Sequence, residues 1–330
     1  MIGINMKHHF PYVFACGLAF FGLLGCSSAP DPWGQESVAP RVVASFPPLA
    51  SWARSILGDK GSVRSLCTTT GPHHHQFQVK DGQILRRSDL FLMNGLTLDD
   101  HFALKLSKGY GGPNMRTLNL GRYLPEDLVI EAPHNHDESE AGHEGHDHHH
   151  GEKDPHYWLG APQAAFCVRE IAKELSEMEP TMAQGYKDRA ETLANQILDL
   201  KKATPERLKA KTDRKVITMH ESMAYFAQSF GFKVVDVIQS GPGDEPSSPR
   251  LAKLVARCKK AGIKTIIVEP QYPKTTAAQW LMNELKKDGI DARLIEIDPM
   301  ETCEDPAGPD GEWYVRVLKA NLDRLVEGLP

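Results

Sequence analysis

Lys215-Val216-Ile217-Thr218-Met219-His220-Glu221-Ser222 is a β-branched, apolar run that closes on a histidine. A helical period follows over residues 221–230, then a second short apolar run over 233–238. Working outward, two more such runs lie at 264–269 and 292–297, with helical patterns at 249–261 and 275–288 between them. The first half reads the same way. Its strand candidates are 41–46, 63–67, 90–94 and 116–120, with helical stretches such as 48–58 and 81–87. Short β-branched runs separated by helical periods imply parallel sheets covered on both faces.

Between the halves the pattern is purely helical. One segment covers 162–177. A second covers 181–203, where Tyr186, Ala190, Leu193, Ile197 and Leu200 recur at helical spacing between Pro180 and Pro205. At 1.5 Å per residue this second helix is about 30 Å long, enough to serve as a stiff spine. The predicted fold is α/β: two lobes, each a four-stranded parallel sheet flanked by helices, joined by a long rigid spanning helix. The lobes are placed at 41–160 and 213–330, with linking helices over 161–212.

The first 40 residues stand outside this scheme. Lys7, His8 and His9 precede an apolar run from Tyr12 to Leu24, and Leu23-Leu24-Gly25-Cys26 resembles a bacterial lipobox. Residues 1–25 are therefore read as a lipoprotein signal peptide, Cys26 as the lipidated residue, and 26–40 as a tether carrying Pro30, Pro32 and Pro40. The apolar run is shorter than the roughly 20 residues of a transmembrane helix. The mature chain is expected outside the cytoplasm, lipid-anchored to a bacterial membrane, periplasmic or cell-surface. Cys67, Cys167, Cys258 and Cys303 then remain, an even number in an oxidising compartment. They allow three pairings, and grouping by lobe suggests Cys67 with Cys167 and Cys258 with Cys303.

Composition is that of a soluble globular protein, 41% hydrophobic and 25% charged. A formal net charge of −5 argues against a nucleic-acid partner. One segment is far from ordinary. Over 131–153 the chain carries His134, His136, His143, His146, His148, His149 and His150 among Gly, Glu, Asp, Asn and Ser. Imidazole is the commonest ligand of borderline metals, so a loop this rich in it points to a transition metal.

Further histidines fall where a folded site needs them. Ligands of open α/β sheets bind beyond the carboxyl ends of the strands. His220 directly follows one strand, Glu269 closes another, Asp298 follows a third, and His73 comes after the loop leaving Cys67. His156 sits in the turn Asp154-Pro155-His156-Tyr157-Trp158, ahead of the first linking helix. Three imidazoles and a carboxylate make a tetrahedral set suited to zinc.

On these residues the chain resembles the metal-binding lipoproteins and periplasmic solute-binding proteins of ABC importers for zinc and manganese, the ZnuA-like or TroA-like group (cluster A-I, cluster 9). The likeness covers nearly all of the mature chain. Gly71-Pro72-His73 with Asp81, Ser88-Asp89-Leu90 and Asn94-Gly95-Leu96-Thr97-Leu98 is similar to the family's first-ligand segment. Asp154-Pro155-His156-Tyr157-Trp158-Leu159 resembles the second and is the most specific. Thr218-Met219-His220-Glu221-Ser222 with Tyr225-Phe226-Ala227 resembles the third. Glu269-Pro270-Gln271-Tyr272 and Ile297-Asp298-Pro299 resemble the C-terminal segments. The resemblance implies His73, His156, His220 and Asp298 as ligands, with water as the alternative to Asp298. Glu269 is expected to support a ligand or be one.

Two departures from the family pattern stand out. His75 occupies a position that usually holds an aromatic, so His74 or His75 could replace His73, and Phe77 could supply the aromatic. Gly160-Ala161, not Asp-Pro, follows Leu159.

The third segment offers an imidazole, not a carboxylate, which favours Zn(II) over manganese. The expected function is capture of one tightly held Zn(II) between the lobes and delivery to an ABC permease with its ATPase. The histidine-rich loop would add weak zinc sites, and the protein is read as a monomer. Manganese or another divalent ion, and a zinc-buffering lipoprotein or adhesin, are the alternatives. A zinc hydrolase fits less well. Position 224 is Ala, so His220-Glu221 does not start an HExxH pair, and no enzyme activity is expected.

Overall fold

The computed structural model describes residues 31–34, 37–132, 153–239, 244–271 and 277–330. The signal, Cys26, the histidines from His134 to His150 and Tyr272 lie outside the described residues.

The first sheet holds β1 (Arg41–Ala44), β2 (Ser62–Ser65), β3 (Leu90–Met93) and β4 (Arg116–Asn119). Its order is β2-β1-β3-β4, and every pairing is parallel. The second sheet holds β5 (Lys215–Thr218), β6 (Lys233–Val237), β7 (Thr265–Val268) and β8 (Arg293–Glu296), in the order β6-β5-β7-β8, again all parallel. Helices α1 (Pro47–Leu57), α2 (Val79–Leu85) and α3 (Asp100–Tyr110) serve the first sheet. Then come α4 (Ala161–Met178) and α5 (Ala183–Arg207). Next are α6 (Ala224–Phe230), α7 (Ser248–Ala261), α8 (Ala277–Lys287) and α9 (Trp313–Gly328). The α/β reading with two four-stranded sheets and a long linking helix holds.

Central strands explain why the sheets are covered. β3 reads Leu-Phe-Leu-Met and β7 reads Thr-Ile-Ile-Val, with all positions buried, as strands with helices on both faces must be. Helix α5 buries Tyr186, Ala190, Leu193, Ala194 and Ile197, and its 25 residues span about 38 Å at 1.5 Å each. It continues through Pro205, which sequence reading takes as a stop. A proline in the last turn removes a single intrahelical donor, and Leu208 N still donates to Thr204 O at 2.9 Å, an ordinary N–H···O length.

One buried cluster joins the sheets. Val42, Phe46 and Phe91 of the first half share it with Leu193 and Ile197 of the spine and with Val216, Ile267, Ile295 and Leu318 of the second. A second cluster, with Ile217, Leu254, Cys258, Ile266 and Leu281, lies under α7 and α8.

The disulfide expectation is corrected. Cys67, Cys167, Cys258 and Cys303 are all free and buried. Cys167 projects from α4 into the large core, and Cys258 from α7 into the small one. Cys303 lies in the loop before α9, where its N–H donates to Thr68 O at 2.8 Å. Cys67 follows β2 and Cys303 lies in a loop, whereas Cys167 and Cys258 sit on the buried faces of α4 and α7, so grouping by lobe pairs neither set.

Candidate metal centre

The loop after β2 turns at Gly71 and carries His73, whose side chain is 19% exposed. Gly71 leaves little spare room there: a Cβ would stand 3.0 Å from Glu301 Oε2.

His156 is fixed by its own turn. Asp154 Oδ1 accepts from the His156 N–H and lies 2.8 Å from His156 Nδ1 as well. Tyr225 Oη donates to Asp154 O (2.9 Å), and Asn94 Nδ2 donates to Pro155 O (3.1 Å). Asn94 is held in turn by Asp99, whose carboxylate accepts from Asn94 N (2.6 Å) and Gly95 N (2.9 Å). Burial pushes that carboxyl up to about 6.

His220 lies beyond the end of β5, separated from it by Met219. Its Nδ1 is 2.8 Å from Glu269 Oε1 at the end of β7. Gln271 Nε2 donates to the other oxygen of Glu269 at 2.8 Å. A carboxylate on Nδ1 turns Nε2 toward the cleft, the arrangement that orients metal-binding histidines.

The three imidazoles meet. His73 Nε2 and His156 Nε2 are 3.2 Å apart. The carboxylate that joins them is Glu301, not Asp298. Glu301 Oε1 lies 3.6 Å from His73 Nε2 and 3.7 Å from His220 Nε2. One donor atom from each of His73, His156, His220 and Glu301 falls within 4.8 Å of the others. Bonds of about 2.0–2.1 Å around a tetrahedral divalent ion place ligand atoms about 3.3 Å apart, so the spacing fits such an ion. Glu301 is 3% exposed, and its Oε1 makes no hydrogen bond among the described residues. A buried carboxylate is costly unless positive charge faces it, and in the metal-free protein the His73 and His220 imidazoles face this one.

Asp298 does different work. Its Oδ1 accepts from Met300 N (2.7 Å), and its backbone is clamped on both sides by Asn321 at 3.0 and 2.7 Å. Burial pushes the Asp298 carboxyl up to about 6. Met300 follows with φ of +62°, a left-handed conformation uncommon outside glycine. This kink carries the chain from Asp298 round to Glu301. Sequence reading stops at the Asp-Pro pair because a side-chain turn followed by positive φ has no pattern at a methionine.

The other expected participants stand apart from the four donors. His75 is buried against Phe102 (4.7 Å between ring centres), with Nε2 3.2 Å from Asp81 Oδ2. His74 is exposed. Phe77 is 39% exposed and pairs with Tyr110 at 5.1 Å, so it does not take the place of the missing aromatic. Glu269 supports His220 and is not one of the four.

Charge in the pocket follows from burial and neighbours. Desolvation lowers His156 below the ordinary histidine value, which outweighs the help of Asp154. For His220 burial also opposes the proton, but Glu269 and Glu301 together outweigh it and push the imidazole up to about 10. Glu301 is held well below the usual carboxylate range: burial acts against this, and His73 and His220 more than offset it.

A spine-linked pair of α/β lobes with a buried three-histidine, one-carboxylate cluster at the strand ends defines a class of two-lobed binding proteins. Residues 42–328 match the family described as ZnuA, zinc-uptake complex component A, periplasmic, and the chain belongs to that family. It is 27% identical over 308 residues to the zinc-binding lipoprotein AdcA of Streptococcus pneumoniae (strain R6). That match covers 92% of this chain and 58% of AdcA, so the chain spans little more than half the length of that relative. It is 25% identical over 320 residues to the high-affinity zinc uptake system protein ZnuA of Bacillus subtilis (strain 168), covering 96% of this chain and 97% of the relative. Among solved structures, FpvC of Pseudomonas aeruginosa in complex with Mn2+ superposes with a TM-score of 0.71 at 23% identity, covering 88% of this chain and 97% of FpvC. At that identity the likeness speaks for the fold.

Proposed function

We propose that this protein is the extracytoplasmic Zn(II)-binding receptor of an ABC importer, with His73, His156, His220 and Glu301 as the four ligands. One observation carries the reading: four donor atoms from distant parts of the chain lie within 4.8 Å of one another. Three of their separations, 3.2, 3.6 and 3.7 Å, are near the edge of a zinc tetrahedron. Three imidazole nitrogens favour zinc over manganese, which prefers oxygen donors. The family and the zinc-binding relatives support the same choice.

The ion is cargo. His73 and His156 approach it from the first half of the chain and His220 from the second, so it bridges the lobes. The common core and the spine allow only small closure. The protein binds and releases without chemistry on its ligand, as a monomer that hands zinc to the permease and its ATPase. Cys26 carries the lipid that holds it to the membrane. No helix among the described residues is long and apolar enough to cross one. The histidines from His134 to His150 add weaker sites that raise the local supply of zinc.

The test is metal analysis of the chelator-stripped chain reloaded with zinc and manganese in competition. One tightly held zinc per chain is expected, retained when residues 134–150 are deleted. Preferential retention of manganese, or loss of the tight site in the deletion, overturns the proposal.

A further inference from the structure

Glu301 belongs to the second half of the sequence, but the segment around it is fastened to the first. Trp158 Nε1 donates to Pro299 O at 2.7 Å. Cys303 N donates to Thr68 O at 2.8 Å, on the loop that leads to His73. Arg54, on α1, donates from Nη1 to Gly308 O (2.8 Å) and Pro309 O (2.5 Å). Its Nη2 donates to Ala307 O (2.7 Å) and back to Val63 O beside it (2.8 Å). One turn earlier, Ser51 Oγ donates to Asp310 O (2.8 Å) and accepts from Tyr314 N (3.2 Å). The contact is close: a Cβ on Gly308, where φ is +90°, would stand 2.9 Å from Ser65 Cβ.

Three consecutive carbonyls on one guanidinium is a specific demand. Arginine presents five N–H donors in a rigid planar fork and accepts nothing. A lysine ammonium is a compact point donor and cannot span the same row. Without the strap, the segment between Asp298 and Trp313 would have to be ordered when the ion arrives, and that ordering would subtract from affinity.

We propose that Arg54 is the positioning residue of Glu301: it straps residues 307–309 to α1, so that the first lobe carries the fourth ligand together with His73 and His156. His220 is then the one ligand brought by the second sheet. Separation of the lobes would leave three donors together on one side. This rests on the metal-receptor reading, with Glu301 as a ligand.

A double-mutant cycle on the full chain tests it, with zinc dissociation constants from competition against a chromophoric chelator. The variants are Arg54→Gln, Arg54→Lys, Glu301→Gln and the double variant Arg54→Gln/Glu301→Gln. Arg54→Gln is expected to weaken zinc by about tenfold, in the range of lost supporting contacts to metal ligands. Arg54→Lys should not restore it. In the Glu301→Gln background, Arg54→Gln should cost less than about twofold, because the interaction it serves is already gone. Equal losses in both backgrounds, or no loss in either, overturn the strap. Unchanged zinc affinity in Glu301→Gln alone overturns the ligand assignment, a separate result. Ser51→Ala removes a milder part of the same fastening, and a smaller loss that also vanishes with Glu301→Gln is expected if Arg54→Gln fails to fold.

Discussion

His220 Nδ1 sits 2.8 Å from Glu269 Oε1, with the imidazole 2% and the carboxylate 0% exposed. The pair couples the ends of neighbouring strands β5 and β7. Glu269 fixes which nitrogen of His220 faces the cleft, and its negative charge makes that nitrogen a better donor. Replacing Glu269 with Ala should weaken zinc by about 10–100-fold. Glu269→Gln, which keeps an acceptor oxygen but not the charge, should fall between. Competition titration measures both, and equal affinity in all three proteins would remove Glu269 from the site.

The same pair predicts a pH dependence. In the metal-free protein His220 is raised from 6.5 to about 10, burial opposing the proton and Glu269 and Glu301 favouring it. A raised histidine contributes stability that is fully present below its unfolded value and is lost as pH rises through its folded one. The metal-free protein should therefore melt at lower temperature as pH climbs from 6.5 toward 10. Zinc must displace the His220 proton, so its affinity should rise over the same window. Calorimetry in buffers of different ionisation enthalpy should show about one proton released per zinc near neutral pH. Release of none would mean that His220 is already neutral.

The sheet architecture was legible because each strand is short, β-branched and followed by a helical period. The 215–219 candidate differs from β5 by one residue. His73, His156 and His220 were legible as chemistry at strand ends and turns. Helix α9 is also legible, since Tyr314, Leu318, Leu322 and Leu325 repeat at helical spacing. Glu301 was not readable. Its place depends on the Met300 kink and on contacts with Arg54 and Thr68, more than 200 residues away along the chain. Long-range contacts of this kind leave no periodic trace.

The loop behind His156 yields a stability prediction. Gly95 has φ of +78°, and a Cβ there would fall 2.0 Å from Asn119 Oδ1. Gly95→Ala is strained by both the dihedral and the clash, so it should destabilise by more than about 1 kcal/mol. The melting temperature should drop by a few degrees. Because Asn94 next door holds Pro155 O, zinc affinity should decline as well. An unchanged melt would mean that the 94–99 loop relaxes freely.

Asp298 and Glu301 lie three residues apart and can be separated by experiment. Asp298→Asn keeps an acceptor oxygen for Met300 N, so the turn survives and zinc affinity should change by less than about threefold. Glu301→Gln removes the negative charge that faces His73 and His220 at 3.6 and 3.7 Å. Truncating one partner of a buried charged pair costs about 2–5 kcal/mol, which is roughly 30-fold to several thousand-fold in affinity. Part of that loss should be recovered at neutral pH. Without Glu301 the His220 proton is held less firmly, so zinc competes with it less. The deficit of Glu301→Gln against the unaltered protein should thus be smaller at pH 7 than at pH 9, where proton competition is weaker. A larger loss for Asp298→Asn than for Glu301→Gln would return the fourth place to Asp298.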